Sequence, residues 1–328
     1  MFKMCYNIII GMKYRLKHVE SVKISRSVEN LMDTATIVTP ATVFNKALDV
    51  QSKLTPGIKV IIQLGYDDKV KTEFDGYLKS VKTDGGSLTL ECEDALYLFN
   101  GSVKNAEYKN ITVKNLLQQI VRELEQSNKD LRDRHITINS LFDFSYEKFT
   151  TVNASGLEVL KKIHDEAKPN IFIKGNVLHI QPLYADMELP TIAYNMAVNI
   201  DRDGMNLKYR RADERKLKVT AKGKNKDGKE ISVTVGEPNG DTETINFPGI
   251  TTEAQLRKLA QTAHDGKVYE GYEGDFTSWL VPYIEPGYSV QLRDNDDEVK
   301  NGKYYVLKVD TTFDSSGGKR VIGLGKKL

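Results

Sequence analysis

The side chains that most often carry out catalysis or bind metals are scattered along this sequence. No histidine has a thiol or a second histidine near it in the sequence; the five are His18, His135, His164, His179 and His264. The chain has no HExxH, CxxC, GxSxG or Walker pattern, and nothing selects two of its many carboxylates as a glycosidase pair. We therefore predict no catalytic residue, no cofactor and no metal site, and expect a protein that is not an enzyme. A glycoside hydrolase without a recognisable motif is the enzymatic alternative.

One acidic run, Asp294 to Glu298, has the composition of a calcium-binding loop. An EF-hand loop beginning at Asp294 needs glycine at its sixth position and glutamate at its twelfth. Those positions hold Val299 and Tyr305. The run is therefore interpreted as the solvated tip of a hairpin.

Charge is distributed unevenly, although the formal net charge is only +2. Residues 201–230 contain eleven Lys/Arg and six Asp/Glu, whereas residues 237–275 contain three and eight. Adjacent segments of opposite sign favour complementary contacts between subunits. The first segment includes a lysine-rich hairpin tip that is a candidate for contact with DNA phosphates in a lumen, with a solvated hairpin end as the alternative. Its lysines are Lys222, Lys224, Lys226 and Lys229.

Aromatic residues are dense around the single tryptophan of the chain. Tyrosine and tryptophan favour interfaces because they combine a large apolar area with a polar group. We interpret the cluster as a candidate subunit interface; the alternative is a carbohydrate-binding surface module that uses the tryptophan. The cluster comprises Tyr269, Tyr272, Phe276, Trp279 and Tyr283.

Hydrophobic alternation predicts that the first hundred residues are mainly strands. β-Branched or alternating runs lie at 22–25, 34–38, 59–64 and 87–92, with Gly/Asp clusters between them, and one helical turn is predicted at 44–50. This pattern is typical of an antiparallel meander or small barrel. The two cysteines and the lack of any apolar stretch near ~20 residues indicate a chain that folds in a reducing cytoplasm without a membrane span.

The middle of the chain changes to a helical period. Thr112 is placed to cap a helix whose apolar residues recur at i, i+3, i+4, i+7, i+8 and i+11 from Val113. Ser155 and Glu158 form a capping-box pattern for a second helix. A hairpin with a two-residue turn at 175–176 follows. Strands then return, and Thr252 begins a third helix.

The two β regions share an ordered set of turn signals. Each has Pro-Gly, an alternating strand, an acidic turn, a glycine-led strand with tyrosine, a Gly-Gly pair and a final strand, first over 56–94 and again over 286–327. Proline fixes φ and glycine tolerates positive φ, so Pro-Gly predicts a tight turn into a strand. The pattern predicts a duplicated small barrel, and turn chemistry shared by two unrelated meanders is the alternative.

Five stretches carry a resemblance to a known family: 22–25, 31–37, 74–78, 88–94 and the ending from 286 to 318. They resemble the baseplate hub proteins of phage tails, the contractile-tail hub or late control protein family, which is related to the first module of type VI secretion spike proteins. The resemblance implies a homotrimeric ring with two similar barrels per subunit. That ring joins the hexameric tail tube to a trimeric spike, and DNA passes through its lumen.

The resemblance also implies partners and a location. The expected partners are two further copies of the chain, the tail tube protein, a spike protein, baseplate wedge proteins and transient, non-specific DNA. The expected location is the virion tail, assembled in the cytoplasm of a bacterial host. Because the sequence ends at Leu328, directly after the second set of turn signals, we expect the spike to be a separate chain.

The predicted fold class is α+β, mainly β, with two similar small antiparallel β-barrel domains and an α+β insert between them. The first barrel domain is expected at 1–105. The insert, with two helices and a hairpin, is expected at 106–190. The second barrel domain, with the lysine-rich hairpin and one helix, is expected at 191–328.

Overall fold

Strands dominate the computed structural model, of which they make up 52%, and helices are few. The mainly β composition predicted from hydrophobic alternation is thereby confirmed. The structure describes residues 3–11, 13–41, 54–142, 144–185, 190–211, 214, 216–225 and 227–328. The helical turn predicted at 44–50 and Lys226 lie outside the described residues.

Seven strands form the N-terminal β half, where alternating residues place one apolar face inward. They are β1 (Met4–Ile10), β2 (Tyr14–Arg15), β3 (Ser21–Ser27), β4 (Thr34–Pro40), β5 (Lys59–Tyr66), β6 (Lys69–Asp84) and β7 (Ser87–Glu93). The side chains of Val22 and Ile24 in β3 and of Ile37 in β4 are buried, as expected for period-2 strands.

The middle unit begins with a 3₁₀ turn at Ala95–Asn100. It continues with β8 (Ala106–Thr112), α1 (Val113–Ser127), α2 (Lys129–Arg134), β9 (Thr137–Ser140), β10 (Ser145–Thr151), α3 (Gly156–Ala167), β11 (Asn170–Lys174) and β12 (Val177–Gln181). Strands β8 and β10 pair with each other, and β11, β12 and β9 form a small sheet.

The helix starts in the middle unit agree with the sequence prediction. The Thr112 side chain accepts a hydrogen bond from the N–H of Asn115, and all six apolar positions predicted for α1 are buried. In α3 the Ser155 and Glu158 side chains form a complete capping box. The predicted hairpin is confirmed as β11–β12, with Gly175 at a φ of +60° in its turn.

The remaining strands belong to two groups. The C-terminal β half consists of β13 (Thr191–Asn195), β14 (Ile200–Arg210), β18 (Gly271–Trp279), β19 (Ser289–Arg293), β20 (Gly302–Asp314) and β21 (Gly317–Lys327). Between β14 and β18, the strands β15 (Leu217–Lys224), β16 (Glu230–Gly236) and β17 (Asp241–Asn246) form a separate sheet that packs on α4 (Glu253–Asp265).

One 13-stranded sheet contains both β halves, which is a correction to the prediction of two separate barrels. Its main path runs β14-β18-β21-β20-β3-β4-β7-β6-β5-β1-β2, and β19 and β13 branch from β20. Within the described ranges neither half closes into a barrel. The physical reason is that β20 of the C-terminal half pairs with β3 of the N-terminal half, so these edges join the halves to each other.

The predicted duplication is visible in the main-chain hydrogen bonds after each Pro-Gly. Gly57 has a φ of +91° and donates its N–H to the carbonyl of Leu78 at 2.8 Å. Gly287 has a φ of +85° and donates to the carbonyl of Val306 at 2.9 Å. Directly after Leu78 and after Val306 the strand register shifts, so β6 and β20 carry a bulge at the same place.

The Gly-Gly part of the repeated pattern differs between the halves. Gly85 and Gly86 form the β6–β7 turn with φ values of +54° and +94°. In the second half β20 ends at Asp314 and β21 begins at Gly317, so the turn consists of residues 315–316. The second Gly-Gly pair, which the sequence pattern places in a hairpin turn, is therefore at the start of β21. A Cβ at Gly318 would lie 2.6 Å from the Leu280 side chain. That glycine is required by packing.

Buried side chains group into three clusters. One cluster lies inside the N-terminal β half and also contains Leu280 and Phe313 from the C-terminal half. A second lies inside the C-terminal half. The third contains the middle unit together with Val219, Leu256 and Ala260 of the lysine-rich hairpin and α4. The hairpin and α4 thus share a core with the middle unit. Within the described residues, no helix is long and apolar enough to cross a membrane.

Candidate functional site

The two β halves meet at a buried ion pair between Arg320 and Glu73. Arg320 lies in β21 and is 0% exposed, and Glu73 lies in β6 and is 3% exposed. The guanidinium donates to the Glu73 carboxylate, to the carbonyl of Leu280 at 2.7 Å and to the carbonyl of Pro282 at 3.0 Å. Burial raises the pKa of Glu73 above its ordinary value, and the positive charge of Arg320 opposes this rise.

A second set of charges lies beside this pair and also crosses between the halves. Arg26 of β3 donates from Nε to Asp33 at 3.1 Å and from both terminal nitrogens to Glu285 at 3.3 Å. The Tyr283 hydroxyl lies 3.1 Å from the Glu285 carboxylate and 3.2 Å from the carbonyl of Thr72, and it donates its one proton to one of these two acceptors. These contacts hold the segment before β19 against β3 and β6.

Asp94 extends the charged set toward the middle unit. Its carboxylate accepts the N–H of Asp33 at 2.8 Å and the N–H of Leu96 at 2.8 Å, so it caps the 3₁₀ turn that enters the middle unit. Burial, together with the nearby negative charge of Asp33, raises the pKa of Asp94 to about 7. Asp94 therefore changes charge near neutral pH.

A cleft of about 350 Å³ lies between the two β halves and the middle unit, and the charged set contributes to its lining the residues Arg26, Asp33, Glu73, Asp94, Tyr283 and Glu285. The middle unit contributes Phe172 and His179, whose rings stack with centroids 4.8 Å apart. Burial, and secondarily the charge of Lys174, lowers the pKa of His179. At the junction of the two halves, the carboxylates of Asp33, Glu73 and Glu285 are engaged by Arg26 or Arg320, and that of Asp94 by the backbone. This is the arrangement of a structural junction.

The predicted aromatic cluster does not form one surface. Tyr272 and Phe276 belong to the core of the C-terminal half, and Phe276 is fully buried against Tyr194. Tyr269 is half-buried and donates to the carbonyl of Gly325. These three residues are thus buried or half-buried in the C-terminal half.

Trp279 and Tyr283 lie apart from those core residues. Trp279 is 44% exposed, and the Lys319 ammonium lies 5.1 Å from the centre of one of its faces. That face is therefore not open to a sugar ring. Tyr283 belongs to the charged set, where the Arg320 guanidinium lies 5.2 Å from its ring centre.

The three predicted lysines that the structure describes, Lys222, Lys224 and Lys229, lie at the β15–β16 hairpin. Lys224 and Lys229 are exposed, and Lys222 is half-buried and forms an ion pair with Glu230 at 2.9 Å. The tip is ordered by Asn225, whose side-chain oxygen accepts the N–H groups of Asp227 and Lys229. Two of the lysines are thus presented to solvent on a well-defined turn.

The acidic run at 294–298 is a hydrogen-bonded turn. Asp294 accepts the N–H groups of Asp296 and Asp297 and the hydroxyl of Tyr272 at 2.9 Å. Among the described residues there is no group of three or more His, Cys, Asp or Glu side chains arranged to hold a metal ion.

Sequence reasoning missed the charged junction, although one signal was present. In β21, Arg320 lies on the same strand face as Ile322 and Leu324, which are buried core residues. A charged residue at an inward position of an alternating strand indicates a buried partner of opposite charge. The partner itself, Glu73, is 247 residues away in the sequence and carries no local signal.

Comparison with known proteins places the fold among phage tail proteins. No protein-family model matches the sequence, and no curated protein matches it. The structure is similar to a tail protein from Neisseria meningitidis (15% identity, TM-score 0.64, covering 99% of this chain and 97% of that one). It is also similar to a 43 kDa tail protein of a Shewanella oneidensis prophage (13% identity, TM-score 0.61, covering 98% and 96%).

A third similar structure is an Escherichia coli component of the type VI secretion system that is described as resembling bacteriophage tail proteins (12% identity, TM-score 0.57, covering 99% of this chain and 77% of that one). The resemblance inferred from the sequence is therefore confirmed for the fold, over nearly the whole chain.

Replacement of Arg320 tests the junction. In Arg320→Leu the Glu73 carboxylate stays buried without a counter-charge, so we expect the free energy of unfolding at pH 7 to fall by about 3–5 kcal/mol. The double variant Arg320→Leu/Glu73→Met removes both charges and should recover most of that loss. Urea denaturation measures both. As a control, Lys148→Ala breaks the exposed pair with Glu107 and should leave the stability close to that of the native protein. An equal loss in the single and double variants would contradict the prediction.

The raised pKa of Asp94 predicts a pH dependence of stability. Between pH 4 and pH 7 the folded state binds a proton at Asp94 that the unfolded state has released, so this stabilisation is complete below about pH 4 and is lost as the pH rises to about 7. In Asp94→Asn the corresponding slope, up to about 1.4 kcal/mol per pH unit, should disappear. Urea denaturation at pH 5, 6, 7 and 8 measures the slope. Identical slopes in the variant and the native protein would exclude Asp94 as its source.

Proposed function

We propose that this protein is a structural subunit of a phage tail or phage-like injection machine, the baseplate hub that joins the tail tube to the spike. The observation that carries this proposal is the similarity of fold over 98–99% of the chain to two phage or prophage tail proteins, combined with the internal duplication. We infer a structural role without catalysis, because the charged cleft is occupied by side chains that engage each other.

The duplication supports a homotrimeric ring. Each chain carries two β halves with the same Pro-Gly turn, the same main-chain hydrogen bond and the same bulge. Three chains therefore supply six similar modules, which matches a hexameric tube on one side while leaving a threefold arrangement for a spike on the other. In this proposal each half is one barrel-like module of the ring, completed by its neighbours.

The expected partners follow from this position. They are two further copies, a tail tube protein, a spike protein, wedge proteins of the baseplate and DNA that passes through the lumen. The expected location is the virion tail, with assembly in the bacterial cytoplasm. Of the aromatic residues, Trp279 has the exposure that contact with a neighbouring protein requires.

The oligomeric state tests the proposal. We expect light scattering coupled to size exclusion to show three copies of the 37.0 kDa chain, either alone or in a complex formed by co-expression with the expected spike protein. Negative-stain images of the same sample should show rings. A chain that stays monomeric at high concentration with both the tube and spike partners present would refute the hub assignment.

The lysine-rich tip provides a separate prediction. If it lines the DNA path, Lys222→Glu/Lys224→Glu/Lys229→Glu should weaken binding of a short DNA duplex to the assembled protein at least tenfold, because phosphate contacts account for most non-specific affinity. Fluorescence anisotropy at several salt concentrations measures the affinity and its salt dependence.

The matched control makes the same charge change on the helices of the middle unit, as Lys114→Glu/Lys129→Glu/Lys161→Glu. It should leave DNA binding within twofold of the native protein. Equal losses in both triple variants would mean that only the overall charge matters, and no loss in the hairpin variant would remove these lysines from the DNA path.

A further inference from the structure

Residues 79–82 of β6 lie at an edge of the sheet. β6 pairs with β7 along 77–84 on one side, and on the other side its ladder with β5 ends at Tyr77. The equivalent strand β20 pairs with β19 in the same way, but its next residues, from Lys308 to Phe313, pair with β3. Among the strands that the structure describes, none takes the place beside β6 that β3 takes beside β20.

The counterpart of β3 in the C-terminal half is β14. β3 pairs with β4, which pairs with β7, and in the same order β14 pairs with β18, which pairs with β21. The registers also match. In each half, one residue from each of the four strands lies directly opposite the next, and these four residues form a row across the sheet. The row in the N-terminal half is Val22, Ile37, Leu90 and Val81, and the equivalent row in the C-terminal half is Met205, Phe276, Ile322 and Val309.

β14 is the last strand of the sheet, and its outer side has no described strand beside it. Thus β3 is used within the chain to join the N-terminal half to β20, whereas its counterpart β14 still has an edge available. The strand that this edge would fit, by the symmetry of the halves, is β6. Six strands separate β14 from β6 in the sheet, so the pairing is expected between two chains.

We propose that β14 of one copy pairs antiparallel with residues 80–82 of β6 in a second copy, and so repeats between chains the β3–β20 pairing found within each chain. This inference rests on the proposed homotrimer and specifies its contact surface. The contact is heterologous, because it joins two different edges. In a trimer, three of these contacts between chains alternate with the three β3–β20 pairings within chains, and together they close a ring of six halves.

The intrachain pairing sets the register of the proposed one. Ser25 lies opposite Asp310, and its hydroxyl donates to the Asp310 carboxylate at 2.7 Å. Counting along the equivalent rows, Ser25 corresponds to Lys208 of β14 and Asp310 corresponds to Lys82 of β6. The proposed interface therefore places Lys208 of one chain opposite Lys82 of the next.

Each of these lysines is accompanied by a carboxylate from its own half. Lys82 forms an ion pair with Glu91, and Lys208 lies opposite Glu273 in the pairing of β14 with β18, where Glu273 also pairs with Arg210. These five groups carry a net charge of +1. The two carboxylates reduce the repulsion between the facing lysines, and charged side chains on both edges discourage pairing with unrelated strands.

Disulfide trapping tests the register. The double variant Lys82→Cys/Lys208→Cys, under mild oxidation, should give covalently linked dimers and trimers on a non-reducing gel, because facing residues of antiparallel strands lie within disulfide range. Both replaced residues are exposed in the single chain. If trimers need the spike protein to form, the oxidation is carried out on the co-expressed complex.

Three controls accompany the disulfide-trapping experiment. Co-expression of Lys82→Cys chains with Lys208→Cys chains should also give linked dimers, whereas each single variant alone should not. Ser25→Cys/Asp310→Cys should form an intrachain disulfide without higher species. Lys69→Cys/Lys208→Cys places the second thiol at the far end of β6 and should remain unlinked.

The outcomes separate this inference from the proposed function. Linked trimers in the test variant, with Lys69→Cys/Lys208→Cys unlinked, support the β14–β6 contact. Trimers by light scattering with no links in the test variant, while Ser25→Cys/Asp310→Cys does form its disulfide, overturn the contact and leave the hub proposal intact. A protein that is monomeric in all conditions overturns both.

Discussion

Arg320 carries a full positive charge at a position without solvent exposure, and such a charge is tolerated only next to a partner of opposite sign that is itself hydrogen-bonded. Glu73 supplies that partner from the other β half by accepting from one terminal nitrogen, and two main-chain carbonyls accept from the other terminal nitrogen. The strands that carry these two residues must therefore keep a fixed relation. The pairing of β3 with β20, the contacts of Arg26 with Glu285 and the cleft beside them all lie around this point.

The buried charge also distinguishes the two halves, which otherwise follow the same plan. By the matching registers of β7 and β21, Arg320 occupies the position that Leu88 occupies in the N-terminal half, and Leu88 is an ordinary core residue. An apolar side chain packs in any register that fills space, whereas a buried ion pair is stable in one arrangement. The duplicated halves have thus diverged at the position where one of them contacts the other within the chain.

Features set by neighbouring residues were predictable from the sequence. The start of α1 at Thr112, the capping box of α3 and the Pro-Gly turns each depend on two to four consecutive residues whose chemistry determines the backbone. The second glycine pair was interpreted as a turn because the sequence did not reveal Leu280, the distant side chain that requires Gly318. The closed barrels predicted from the sequence differ from the structure because strand periodicity identifies the two faces of a strand but does not identify the strand with which its edge pairs. The charged junction depends on pairs more than 240 residues apart, and only the inward position of Arg320 hinted at it.

The pairing of β3 with β20 has a consequence for the order of events during synthesis. β3 ends at Ser27, and its partner strand begins at Gly302, so the ribosome adds the 274 residues 28–301 between them. At about 5–20 residues per second, the β3 edge waits on the order of 14–55 seconds before its partner exists. During that time other nascent chains on the same messenger present identical edges, so the β3 edge stays open to pairing between chains until β20 covers it.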